Sequence, residues 1–299
     1  MYSLPKNVTL IEVGPRDGLQ NEKNNIPTDQ KLAFIHALQR AGLHAMEVTS
    51  FVLPKWVPQL SDSKEIMEQV SKQGRQLVLT PNAHGVENAL KAGADSIVVF
   101  IGVSDTFNQH HINRSTTESI ETLRPIIHQL KNRHHFVRAC ISTAFHCPYE
   151  GFISPEKALA LCKKFIDMGV DELSVADTDS MANPLACFTL FHELKKQFPN
   201  MLITAHFHDT RKVGLATIYA SLQAGVDRFD TSAGGLGSCP FAPGATGNVA
   251  TEDVLYLLQS VDIVTGIDIN KICAAVDGVA PYLSRPIETA MYSLYKRSQ

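Results

Sequence analysis

Two histidines separated by one residue, His206 and His208, stand in the segment HFHDT at 206–210. On an extended strand residues i and i+2 share a face, so both imidazoles of such a pair can reach one cation. The plainer reading is one core histidine and one exposed one. Asp17, between Arg16 and Gly18, is either an ordinary Asp-Gly turn or, with Arg16, half of a pair that binds a metal and an oxyanion side by side. Glu47 interrupts the otherwise apolar run AMEVTSF, where a carboxylate must be hydrogen-bonded or paired; Arg16 is its natural partner. Arg138 within FVRACIS poses the same question, with a structural ion pair and substrate binding as equal answers.

The segment GGLGSCPFAPGATGN at 234–248 holds five glycines and two prolines around a single cysteine, Cys239. It is either a disordered connector or a functional loop, and loops of this length in compact domains are more often functional. A lone thiol in such a loop is a candidate acid, base or nucleophile. Asn248, just before VATEDVLYLL, is either a metal ligand or a helix-cap residue. Two imidazoles, a carboxylate and an amide together suit an octahedral Mg2+ or Mn2+ Lewis acid better than a tetrahedral structural zinc.

Short β-branched runs carry these residues: 8–14, 45–51, 76–81, 96–102, 136–144, 172–178, 203–210 and 228–234. Helical patterns fall between them, as at 31–41, 87–92, 155–168 and 216–224, and Gly42, Gly93, Gly169 and Gly225 stand where helices should stop. Eight βα units in a chain of 299 residues imply an α/β fold, a closed (β/α)8 TIM barrel. A doubly wound open sheet is the alternative, but neither G-x-G-x-x-G nor G-x-x-x-x-G-K is present to hold a nucleotide in one. One domain is expected, with the barrel over about 6–262 and extra C-terminal helices over about 263–299, packed on the barrel or on a partner subunit. Chemistry in such barrels sits at the C-terminal ends of the strands, which is where the polar residues collect here.

The chain is 44% hydrophobic and 19% charged, enough to bury a large core, and its formal net charge is -3. Scattered Lys and Arg give no basic stripe for nucleic acid, and no apolar run reaches the roughly 20 residues that span a bilayer. The first ten residues, MYSLPKNVTL, resemble neither a signal nor a transit peptide, so a cytoplasmic enzyme is expected. The six cysteines form no C-x-x-C pair and read as neither a disulfide framework nor a zinc finger.

EVGPRDGLQNE at 12–22, TSFVLPKWVP at 49–58, CPYEG at 147–151, HFHDT at 206–210 and GLGSCPFAPGATGNVATED at 235–253 closely resemble 3-hydroxy-3-methylglutaryl-CoA lyases, in matching order. That resemblance implies a divalent cation, Mg2+ or Mn2+, held by Asp17, His206, His208 and Asn248. It implies Arg16 on a developing enolate, Glu47 and Gln20 in support, and Cys239 as a catalytic acid or base. Ser50, Asn113, Arg138 and Ser174 fall where the family has substrate-pocket residues. The implied partners are an acyl-CoA substrate and a second copy of the chain in a homodimer, with no nucleic acid or membrane.

Departures from the family are Ala176-Asp177-Thr178-Asp179-Ser180 for the usual G-D-T-I-G, Gly237-Ser238-Cys239 for G-G-C, and Cys140, which follows Ala139, for a Tyr or Ala that follows Arg-Gly. The implied reaction is retro-Claisen cleavage, with His206 as base toward the C3 hydroxyl, Arg16 stabilising the enolate and Cys239 protonating it. The alternatives are a lyase for citramalyl-CoA or an isoprenyl-extended glutaryl-CoA, a homocitrate- or isopropylmalate-type synthase, and a metal-independent cysteine hydrolase built on Cys239.

Overall fold

The structure, a computed structural model, describes residues 4–237 and 247–299. Among these, β1 (Thr9–Glu12), β2 (Ala45–Ser50), β3 (Arg75–Leu79), β4 (Ser96–Gly102) and β5 (Phe136–Ser142) pair in parallel. After a small antiparallel hairpin, β6 (His146–Cys147) and β7 (Gly151–Phe152), the barrel resumes with β8 (Glu172–Asp177), β9 (Leu202–Phe207) and β10 (Arg228–Thr231). Pairing of β1 with β10 closes it. The expected barrel is therefore the observed one, and each of the eight expected runs overlaps a barrel strand.

The helices α1 (Thr28–Arg40), α2 (Ser63–Gln69), α3 (Ala83–Lys91), α4 (Asp105–Ile112), α5 (Thr116–Asn132), α6 (Pro155–Asp167), α7 (Pro184–Gln197), α8 (Gly214–Gln223) and α9 (Thr251–Ser260) fill the crossovers. Gly42, Gly93, Gly169 and Gly225 all take positive φ after their helices, a conformation that spares glycine the Cβ clash. Two further helices follow, α10 (Ile269–Val279) on α1 and α9, and α11 (Ala290–Arg297) on α9 and α10. The extra C-terminal helices thus pack on the chain's own barrel. No helix of the described residues is long and apolar enough to cross a membrane.

Strand alternation sends one set of side chains out to the helices and the other into the barrel. Val137, Ala139 and Ile141 of β5 join the large outer core, while Arg138 and Cys140 point the other way. The interior itself is divided. Ile11, Ala45, Leu77 and Val98, from β1 to β4, form a small apolar cluster. Opposite them Arg138, Glu172, Thr204 and Asp230 form a buried polar one. Several strands end earlier than their β-branched runs, because their last residues turn away from the ladder to build the site.

Candidate active site and metal centre

After β1 the chain winds into a π-helical turn over Gly14–Gly18, where the amides of Gly18 and Leu19 reach back to Val13 and Gly14 carbonyls. This wide turn sets Arg16 and Asp17 side by side at the barrel mouth, so Asp17 is not merely a turn residue. Arg16 Nε donates to Glu47 Oε1 at 2.6 Å and Nη1 to Asp17 Oδ1 at 2.6 Å, while Gln20 Oε1 accepts from Nη1 at 3.4 Å. The pairing expected of Arg16 and Glu47 is present. Burial works against the guanidinium charge, but Glu47 and Asp17 outweigh it and keep Arg16 protonated. Burial likewise opposes the Asp17 carboxylate, yet Arg16, then His206 and His208, hold it down at about 2.

Both histidines point into the barrel mouth. Their Nε2 atoms lie 3.4 Å apart, and the ligand atoms of Asp17, His206 and His208 fall within 4.8 Å of one another. Each Nδ1 faces an acceptor: His206 donates to Asp230 Oδ2 at 3.0 Å and His208 to the Thr178 carbonyl at 2.8 Å. These partners fix the tautomer that leaves the Nε2 lone pairs converging. His208 is pushed down to about 4 by burial and by His206, so its ring is neutral, as ligation requires. Burial lowers His206, but the Asp230 hydrogen bond and charge win and raise it.

Asn248 completes the set. Its Nδ2 donates to Asp17 Oδ2 at 2.8 Å and to the Leu236 carbonyl at 3.1 Å, which leaves its buried Oδ1 without a partner among the described residues. A buried amide oxygen without a donor calls for a water or an ion, and this one is free to ligate a cation. The helix-cap alternative fails, because the N-cap of α9 is Ala250 and makes no side-chain bond. Two imidazoles, a carboxylate and this oxygen fit a hard-to-borderline divalent cation.

The site opens into a cavity of about 1230 Å3 lined by Arg16, Gln20, Glu47, Ser50, Asn113, Cys140, Ser174, His206 and His208, with apolar walls from Leu79, Phe100, Phe107 and Leu123. Ser50 Oγ is buried there without a partner among the described residues. Asn113 ends α4 in the left-handed region, with φ 53. Ser174 donates to Asp230 Oδ2 at 2.8 Å. Arg138 is fully buried, its Nη2 donating to both Asp230 oxygens at 2.5 and 2.7 Å, so the ion pair that one of its two expected roles called for is present. Cys239 lies outside the described residues; Gly237 and Gly247, which flank its segment, adjoin Asn248 and Leu236.

Sequence reasoning passed over Asp230 and Glu12. Asp230 collects Arg138, Ser174 and His206, and its carboxyl is held well below the usual range, by Arg138 foremost once burial is overcome. Glu12 accepts from the Gly14 and Ala233 amides and from Thr251, stapling the turn after β1 to the loop after β10. Its signal was available, a charged residue inside the apolar run VTLIEVG.

Comparison with known proteins agrees with this geometry. The chain is 40% identical over 296 residues to the hydroxymethylglutaryl-CoA lyase of Bacillus subtilis (strain 168), covering 98% of this chain and 99% of that protein. It is also 40% identical over 285 residues to the 3-hydroxy-3-isohexenylglutaryl-CoA/hydroxy-methylglutaryl-CoA lyase of Pseudomonas aeruginosa, covering 95% of each. The crystal structure of hydroxymethylglutaryl-CoA lyase from Pseudomonas aeruginosa superimposes with a TM-score of 0.95 at 38% identity over 99% of both chains. The HMGL-like family model spans residues 7–279, and the chain belongs to the HMGL-like family.

Proposed function

We propose that the protein cleaves 3-hydroxy-3-methylglutaryl-CoA to acetyl-CoA and acetoacetate. The observation that carries this reading is the convergence of Asp17, His206 and His208 beside a buried, charged Arg16 at the mouth of a cavity large enough for a thioester. A divalent cation bound by Asp17, His206, His208 and Asn248, Mg2+ or Mn2+, would supply a Lewis acid that acidifies a chelating hydroxyl. His206, its Nδ1 held by Asp230, would offer Nε2 to the cation or, once released from it, take the hydroxyl proton there, one lone pair serving one partner at a time. Arg16, oriented by Glu47 and Gln20, faces the thioester oxygen on which enolate charge develops. Cys239 returns a proton to the enolate carbon, because an ordinary thiol, at about 8.5, holds a proton at neutral pH that a carboxylic acid has lost. Ser50 and Asn113 hold the acyl-CoA, and Ser174 supports them from Asp230.

A second reading, cleavage of a thioester with a longer C3 substituent, is favoured by the apolar walls at Leu79, Phe100 and Leu123. One experiment tests both. The purified protein is incubated with Mg2+, dithiothreitol and a panel of 3-hydroxyacyl-CoAs, and products are identified by mass. Acetyl-CoA and acetoacetate from the methylglutaryl thioester are expected; turnover of none, or turnover that survives a chelator, overturns the proposal. Homodimer formation and a cytoplasmic location belong to the same reading, and light scattering tests the first.

A further inference from the structure

The segment between α10 and α11 bonds to the stretch after the Arg16–Asp17 turn, to the loop after β10 and to the start of α9. Its Ser284 amide donates to Glu22 Oε1 at 2.9 Å, and the Tyr282 carbonyl accepts from Asn24 Nδ2 at 3.2 Å, both just past the Arg16–Asp17 turn. At its far end the Met291 amide donates to Asp253 Oδ1 at 2.9 Å and Thr289 Oγ1 to Glu252, at the start of α9. Between these anchors Arg285 Nη2 donates to the Gly235 carbonyl at 3.1 Å and to the Gly237 carbonyl at 2.7 Å.

The residue between those two glycines is Leu236, whose carbonyl accepts from Asn248 Nδ2 at 3.1 Å and lies 3.4 Å from the Asn248 amide nitrogen. The strip 235–237 belongs to no strand, and Gly235 and Gly237 both take positive φ, so no ladder holds it. It is also packed tightly: a Cβ on Gly237 would stand 2.8 Å from Asn248 Nδ2, and one on Gly247 2.3 Å from the Gly235 carbonyl. With Nδ2 committed to Leu236 and Asp17, the direction of Oδ1 is set by where the Leu236 carbonyl sits. We propose that Arg285 is a positioning residue for Asn248: by clamping the carbonyls on either side of Leu236, it aims the Asn248 oxygen at the cation. The C-terminal extension is thereby part of the metal centre's support, as outer partners of metal ligands commonly are.

This inference rests on the metal centre proposed above, and the experiment separates the two. Mn2+ affinity is measured by electron paramagnetic resonance, without substrate, for the wild type, Arg285→Gln, Arg285→Lys, Asn248→Ala, the double variant Arg285→Gln/Asn248→Ala, His208→Ala and Glu288→Ala. Arg285→Gln should weaken binding on the order of tenfold, as loss of an outer partner does. Arg285→Lys should recover part of that, and Glu288→Ala should change nothing. In the Asn248→Ala background Arg285→Gln should cost no further affinity, because its effect passes through that residue. Equal losses in both backgrounds, or none from Arg285→Gln, overturn the clamp. If Arg285→Gln does not fold, the same cycle run with Arg285→Lys decides. A wild type that binds no Mn2+, or His208→Ala binding as tightly as wild type, overturns the metal centre instead.

Discussion

Replacing Asp230 by Asn tests the charged side of the barrel interior. The carboxylate accepts from Arg138 Nη2 through both oxygens, from Ser174 and from His206, and the Arg138 side chain is 0% exposed. An amide keeps the shape but turns one acceptor into a donor facing Arg138 or His206, and it removes the charge opposite the guanidinium. Glu172 Oε1, 3.3 Å from Arg138 Nε, is already shared with Thr204 Oγ1 and cannot take over. Breaking a buried pair from one side costs about 3–5 kcal/mol. With a urea slope of roughly 3 kcal/mol per molar, the upper end for small proteins, the midpoint of the metal-free protein should fall by about 1–1.7 M. His206 loses the acceptor that fixes its tautomer, so Mn2+ affinity should fall roughly 10–100-fold. Urea denaturation followed by circular dichroism and a Mn2+ titration read the two effects separately. An unmoved midpoint with unchanged Mn2+ affinity would refute the reasoning on both counts.

Arg16→Gln should lower kcat by about two to four powers of ten with KM nearly unchanged, the scale of about 3–5 kcal/mol for an oxyanion partner; a raised KM at constant kcat would make Arg16 a ground-state anchor. His208→Ala should retain the fold by circular dichroism and lose Mn2+ binding by calorimetry. Cys239→Ser should collapse turnover while substrate-analogue affinity holds, and full activity or a trapped covalent adduct would sink the proton-donor role. Burial raises Glu12 from 4.5 to about 7, so folding favours its protonated form; its contribution is whole below about pH 4.5 and is lost as pH climbs through 7. Glu12→Gln, which resembles the protonated acid, should flatten that loss of roughly 3 kcal/mol between pH 5 and 8, and parallel stability curves for the two proteins would contradict it.

Alternating β-branched and helical stretches made the barrel legible because each unit repeats the same local signals of run, helix and terminal glycine. Polar residues at strand ends were legible for a related reason: Glu47 and Arg138 interrupt apolar runs, and burial demands a partner. For Glu47 the partner, Arg16, could be read as well; for Arg138 it could not. Arg138 is sequence-adjacent to nothing that decides between Asp230 and a substrate carboxylate, and the choice is made by β5 and β10 facing each other across the barrel. Asp230 went unread because RFDTSAG has no long apolar context to make an acid conspicuous. Asn248 stayed divided between cap and ligand because the sequence does not show that α9 begins at Thr251, past the reach of an Asn248 cap. The hairpin β6–β7 and helix α4 were missed for want of periodicity in such short elements.

The proposed metal centre lies across the line where the barrel closes. Asp17 follows β1, His206 lies in β9 and His208 just past it, and Asn248 follows β10, so the proposed ligands are spread from position 17 to position 248 in order of synthesis. A growing chain holding only β1 to β8 has one of the four and no grip on an ion. Loading would therefore follow completion of β9 and β10 and the pairing of β10 with β1, the barrel's strand pairing of longest sequence separation and the slowest kind to form. A bound ion would then act on the last step of folding alone, as a rivet through the seam, and metal supply would govern how long the finished barrel stays shut more than how fast its first six strands assemble.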